Sequence, residues 1–336
     1  MIHEKPEGQQ DKASADWKIA LNQGFKDWQT LARFLELNPN SYRVPVIENF
    51  PMRIPYSFAL RMKKGDINDP LLKQVLADKF ELDRADNYVS DPLSEREFNP
   101  VKGALRKYHN RILLMLHPAC AVHCRYCFRR EYDYQAQTQS KESWSHVFNY
   151  IREHAELDEV IFSGGDPLLH NDERLSWFVA QTESIPHIKR LRIHTRIPIV
   201  LPKRVTKEFL AVFNKTHLQK IMVVHANHGN EIAADVIGAF KQLKEAGFSI
   251  LNQATLLKGV NDNAEVLKAL SERLFEAGVL PYYLHVLDKV KGVQHFDVDE
   301  EKAKAIHHEL KAITSGYLVP KLVREIAHQK SKTWLK

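Results

Sequence analysis

The chain has 336 residues, of which 44% are hydrophobic and 27% charged, and a formal net charge of +6. That suffices for one large α/β domain with an appendage, or for two domains, and no apolar run approaches the ~20 residues of a membrane span. Met1 to Trp17 is polar and lacks an apolar signal segment, and the cations are spread rather than blocked, so the expectation is a soluble cytoplasmic protein for which nucleic acid is an unlikely partner. Residues 1–100 read as mostly helical and irregular. Asp16 to Leu37 places Trp17, Ile19, Leu21, Phe25, Trp28, Leu31 and Phe34 at roughly helical spacing. Pro45, Pro51 and Pro55 punctuate the chain, a helix is expected over 70–80, and Asp91-Pro92 starts a loop. From Arg111, apolar strands are expected at 111–117, 158–163, 190–195, 220–226, 248–256 and 281–287. Amphipathic helices fall between them near 142–156, 171–184, 206–214, 230–246 and 262–277, and a last one near 299–314 puts Ala303, Ile306, Leu310 and Ile313 on one face. Gly247 and Gly278 stand where helix stops are expected. This alternation implies a parallel sheet with crossovers. Six such units suit an incomplete barrel, with a doubly wound open sheet equally allowed by the periodicity.

All three cysteines lie within eight residues, Cys120-Ala-Val-His-Cys124-Arg-Tyr-Cys127, just past the first expected parallel strand. In parallel barrels the chemistry sits at that end of the strands. An odd count with no second cluster argues against a disulfide framework and for a reducing compartment. A zinc site wants four ligands, and His123 inside the first loop is poorly placed to be one. Three thiolates can instead hold three corners of a [4Fe–4S] cube and leave the fourth iron open. The spacing, with aromatic Tyr126 before the third cysteine, resembles that of the radical S-adenosylmethionine (SAM) enzymes. In that context Ser163-Gly164-Gly165-Asp166-Pro167-Leu168, after the second strand, resembles the run that lines the methionyl end of SAM. Its glycines permit a close backbone approach; taken alone, it is a common strand-to-helix turn. His194-Thr195-Arg196, Asn252-Gln253 and Asp288 are polar groups in or at the ends of apolar strands. Each suits a ligand-facing tip, or equally a satisfied core or turn residue.

From about residue 90 onward the chain resembles the lysine 2,3-aminomutase family. The matching elements are Lys107-Tyr-His-Asn-Arg111, the cysteine loop with Arg129-Arg130, the Ser-Gly-Gly-Asp-Pro-Leu run, Leu251 to Asp262, Pro281-Tyr-Tyr283 with Asp288, and Thr314-Ser-Gly-Tyr317 with Val319-Pro320. The resemblance implies an α/β fold: a partial (β/α)6 radical SAM barrel over 101–315, a mostly helical region over 1–100, and a C-terminal segment, 316–336, that binds pyridoxal 5′-phosphate (PLP). It implies that Cys120, Cys124 and Cys127 hold a [4Fe–4S] cluster and that Ser163, Gly164, Gly165, Asp166 and Gln253 border SAM. Lys332, twelve residues past Pro320, would link to PLP, and Arg111 would lie near the PLP phosphate. Arg129 would bind the substrate carboxylate, with Asp288 and Glu325 on the lysine ε-ammonium. The reaction so implied is isomerisation of α-lysine to β-lysine, with SAM regenerated in each cycle.

There are departures. Glu325 stands where the family usually has Asp, and Ala327-His-Gln-Lys330-Ser replaces a glycine-rich run, making Lys330 a competitor of Lys332. The family's cysteine-bearing C-terminal extension, with its zinc, is expected to be lacking. The short form is similar to the bacterial aminomutase that makes (R)-β-lysine for elongation factor P, to which a ligase attaches it; an electron donor such as a flavodoxin is implied. The competing expectations are a radical SAM enzyme acting on RNA and a zinc-stabilised adaptor without catalysis.

Overall fold

The computed structural model describes residues 10–40, 42–83, 85–134 and 140–336. Residues 1–9 of the expected N-terminal helical region lie outside the described residues. Nine strands form one open sheet in chain order. They are β1 (Ala104–Tyr108), β2 (Arg111–His117), β3 (Glu159–Gly164), β4 (Arg190–Thr195), β5 (Gln219–Val224), β6 (Phe248–Thr255), β7 (Leu280–His285), β8 (Lys321–Arg324) and β9 (Thr333–Trp334). Neighbours from β2 to β8 pair in parallel, whereas β1 and β9 are antiparallel edges.

Each parallel step is crossed by a helix: Lys141–Glu153, Asp172–Glu183, Lys207–Asn214, Ala234–Glu245, Ala264–Glu276 and Glu300–Ile313. These are the six expected β/α units of a partial barrel, extended by β8. Local chemistry sets their ends. Asn171, Thr206, Asn263 and Asp299 cap the following helix by accepting backbone N–H groups with their side chains. Gly247 (φ +82°) and Gly278 (φ +77°) supply the left-handed turns that end two helices. Strand β3 is buried at all six positions because helices and cavity walls cover both its faces.

The expected N-terminal helix over 16–37 is two helices, Gln10–Asn22 and Trp28–Phe34. Between them Phe25 exchanges backbone hydrogen bonds with Ile54, at 2.8 and 3.0 Å. Gly24 makes that approach possible, since a Cβ there would sit 2.6 Å from the Ile54 carbonyl oxygen. The expected 70–80 helix is likewise two short pieces, Pro70–Lys73 and the 3-10 turn Lys79–Leu82. Asp78 and Glu81 form a capping box that starts the second piece. Trp17, Leu31, Phe58 and Leu72 share one core with Leu114, Phe162, Ile193 and Leu284 of the sheet. Among the described residues no helix is long and apolar enough to cross a membrane.

Candidate active site

The C-terminal ends of the parallel strands open onto a cavity of about 280 Å³. Its lining includes Cys120, Cys124, Cys127, Arg129, Arg111, Ser163, Gly164, Gly165, Asp166, Gln253, Asp288, Glu325 and Lys332, whereas Asn252 is a buried residue whose amide bonds the Ala226 backbone. Lys330 is exposed and does not line it.

At one end lies the cysteine loop, which follows β2. Backbone bonds tie it down, from His123 N to Arg53 O (3.0 Å) and from Arg125 N to Gln74 O (2.8 Å). Arg125, 1% exposed, grips both oxygens of buried Glu81 at 2.9 and 2.6 Å, and Arg130 adds a third bond at 2.6 Å. A buried carboxylate is tolerable only with such pairing. The Gly164-Gly165 run packs directly on the start of the loop. Gly165 N donates to His117 O at 2.7 Å and Asp166 N to Ala119 O at 2.8 Å. A Cβ on Gly165 would lie 2.3 Å from the Ala119 carbonyl oxygen. The glycines therefore serve the approach of two protein loops, in addition to bordering the cavity. Asp166 turns inward, accepting from Thr195 Oγ1 (2.8 and 2.9 Å) and Arg196 N (2.8 Å), and burial pushes its carboxyl up to about 6.

Arg196 joins this framework to the thiols. Its Nη1 donates to Cys124 Sγ at 2.6 Å, and its Nη2 donates to Glu231 (2.9 Å) and Gln74 (2.7 Å). Burial first, and the neighbouring thiols second, raise Cys120 and push Cys127 up to about 11. Such thiols ionise once a metal pairs with them. All three cysteines are free of disulfides. Among the described residues no three His, Cys, Asp or Glu side chains are drawn together as ligands of one ion. A cubane, which offers each thiolate its own iron, suits the donor set better than a lone tetrahedral ion.

The middle of the cavity carries neutral imidazoles. Burial drives His225 and His285 down to about 3 and His194 well below its usual value. Gln253 Nε2 lies 2.9 Å from His225 Nε2, while the buried His194 Nε2 has no hydrogen-bond partner among the described residues.

The other end is ionic. Arg129 is held by Glu95 through Nε (2.7 Å) and Nη2 (2.8 Å), which leaves Nη1 facing Ser163 Oγ at 3.3 Å. Burial alone would raise the Glu95 carboxyl, yet the Arg129 charge and hydrogen bonds hold it below the usual range. Glu325 pairs with Lys332 and accepts from Tyr108 Oη at 2.8 Å. Burial opposes its ionisation, but Lys332 and Lys107 hold it at about 2. Asp288 goes the other way. Burial and then the charge of Glu325 push it up to about 7, and no hydrogen bond or ion pair to its carboxylate forms among the described residues. Arg111 stacks 3.9 Å from the centre of the Tyr108 ring.

Sequence reasoning assigned no role to Glu95, Glu231, Lys107, His225 or His285. Lys107 lay inside a recognised motif, and His285 alternates with Tyr283 along β7, so a signal existed for both. Nothing local marks Glu95 or Glu231 as buried; each is an acid in a short 3-10 turn.

An open parallel barrel whose first parallel strand feeds a three-cysteine loop defines the radical SAM class, and the Radical SAM superfamily profile matches residues 114–270. Among individual proteins, the chain is 45% identical over 320 residues to an L-lysine 2,3-aminomutase of Haemophilus influenzae, covering 95% of each chain. It is 47% identical over 321 residues to that of Escherichia coli (strain K12), covering 95% of this chain and 94% of the relative. To the one from Clostridium subterminale it is 34% identical over 330 residues, covering 96% and 79%. The chain belongs to the lysine 2,3-aminomutase family of radical SAM isomerases.

Proposed function

We propose that this protein converts α-lysine to β-lysine. Cys120, Cys124 and Cys127 would hold a [4Fe–4S] cluster, Ser163 to Asp166 and Gln253 would border SAM, and Lys332 with Arg111 would hold PLP. When bound, these groups supply the radical that removes a substrate hydrogen and the carbonyl that carries the migrating nitrogen. The chain's own residues bind, orient and shield. Arg129 presents to the substrate carboxylate the one guanidinium nitrogen, Nη1, that Glu95 leaves free. Asp288 and Glu325 receive the ε-ammonium, a buried cation that needs paired negative charge. Lys332, which pairs with Glu325, offers its amine at the same spot. His194, His225 and His285, kept neutral by burial, add polar contacts without competing charge.

The observation that carries this reading is convergence. A thiol end and a two-signed ionic end face one cavity, built from residues between 93 and 332. An RNA-modifying enzyme would have no use for paired acids opposite a buried arginine. The test is anaerobic reconstitution followed by lysine turnover and visible spectra before and after borohydride, for wild type and Lys332→Ala. The expected result is β-lysine from wild type, with an iron–sulfur band in both proteins and a PLP band in wild type alone. An iron–sulfur band with no PLP uptake and no β-lysine would overturn the reading.

The finer proposal follows the resemblance to the short bacterial form: the product is (R)-β-lysine, made in the cytoplasm with a flavodoxin-type donor and attached to elongation factor P by a ligase. A deletion strain should lose that modification and regain it on feeding (R)-β-lysine. Retention of the modification in the deletion strain would refute this role.

A further inference from the structure

Glu95 grips Arg129 through two nitrogens; Glu95 is buried, and the Arg129 side chain is 10% exposed. Taken alone, that pair is neutral. A neutral pair is a poor anchor for a carboxylate, because the arginine charge is already spent on Glu95. Lys107, on β1, changes the count. Its Nζ lies 3.5 Å from Glu95 Oε1, the oxygen that also accepts from Arg129 Nη2, and its side chain is only 13% exposed. Its other acidic neighbour, Glu325 at 3.7 Å, is already paired with Lys332 and accepts from Tyr108. Arg129, Lys107 and Lys332 thus face Glu95 and Glu325, which leaves one positive charge in excess at the Arg129 end. Asp288 stands outside these pairs.

We infer that Lys107 is a positioning residue for substrate: as a second cation on Glu95, it restores to the Glu95–Arg129 pair the net positive charge that holds a carboxylate. The inference rests on the reading of Arg129 as the carboxylate anchor of a lysine 2,3-aminomutase. Lys107 acts through Glu95 and does not touch the reacting atoms. Its loss therefore weakens substrate binding and spares the chemical step.

The test compares wild type, Lys107→Met and Lys107→Arg, each reconstituted and matched for iron and PLP content. Lys107→Met should raise KM for lysine by about tenfold or more with kcat within about threefold, and Lys107→Arg should restore KM to within about threefold. If the methionine variant fails to fold, Lys107→Gln carries the same expectation. A smaller rise in KM overturns the inference. So does a fall in kcat alongside KM that Lys107→Arg does not repair, since that pattern marks a structural role. Absence of lysine turnover in wild type would instead sink the aminomutase reading, and the inference with it.

Discussion

The two ends of the cavity handle buried charge in opposite ways. Around the cysteine loop, each charged group is locked to partners that no ligand replaces: Glu81 to Arg125 and Arg130, Glu231 to Arg196, and Asp166 to Thr195 and backbone N–H groups. At the far end the partners are provisional. Glu325 holds a lysine amine that the proposed chemistry must release, Arg129 keeps one nitrogen off Glu95 with only a 3.3 Å bond to Ser163 Oγ, and Asp288 has no partner among the described residues. The first arrangement fixes geometry for a reactive group; the second leaves places for a substrate's charges to enter.

If that contrast is right, substitutions at the two ends should fail differently. Glu231→Ala should be the most damaging to folding. It strands Arg196 in the interior, at about 3–5 kcal/mol by the usual cost of breaking a buried pair. Urea unfolding of the cluster-free chain measures this, and a loss under about 1 kcal/mol would show that the framework is not rigidly paired. Glu325→Ala should cost less in unfolding than Glu231→Ala, because the Lys332 side chain it leaves is 19% exposed and can turn to water, but it should lower kcat/KM for lysine roughly 30–150-fold, the worth of a charged hydrogen bond of about 2–3 kcal/mol. Wild-type turnover in that variant would remove Glu325 from the ammonium site. Gly165→Ala should cost about 1–3 kcal/mol through overpacking against the Ala119 carbonyl, with less iron retained per chain. Undiminished iron and stability would mean the two loops slide apart freely.

Much of the framework was legible because its signals are local. Six strand and six helix periodicities predict the β/α units within a few residues, since each element buries a face of its own. The edges were not. β1 (Ala-Leu-Arg-Lys-Tyr), β8 (four residues) and β9 (two residues) are strands only because a neighbour offers hydrogen bonds. The N-terminal helix was overdrawn for the same reason, because the Phe25–Ile54 pairing is a tertiary event that periodicity does not register. At the site, cysteine spacing and the family motifs point to thirteen residues that the structure brings to one cavity. Glu95 and Glu231 escaped notice because a buried counter-ion has no sequence signature. Its meaning comes from the arginine it meets, 34 or 35 positions away in sequence.

Asp288 gives the finest test of the exchangeable end. Burial, Glu325 and Glu95 push its carboxyl up to about 7 against the opposing charges of Lys332 and Lys107. Below that pH it is neutral and a poor partner for an ammonium. Lysine affinity should therefore fall about tenfold between pH 8 and pH 6, following a single deprotonation. Asp288→Asn should bind weakly at both values and lose the slope. The sign for stability is fixed by the same shift. An acid raised from 3.8 to about 7 on folding gives a contribution that is complete below the unfolded value and is lost as pH rises through 7. Glu325, lowered from 4.5 to about 2, contributes fully above 4.5 and loses that only as pH falls through 2. Between pH 5 and 8 the Glu325 contribution is therefore constant, and the Asp288 contribution declines. Asp166, raised to about 6, adds a slope of its own. The difference in melting temperature between wild type and Asp288→Asn isolates Asp288: the variant should gain on wild type as pH rises from 5 to 8, and saturating lysine at pH 8 should cancel the gain by giving the ionised carboxylate the cation it lacks. A constant difference across that range would show that Asp288 is already paired in the free chain, and the contrast between the two ends would lose its clearest member.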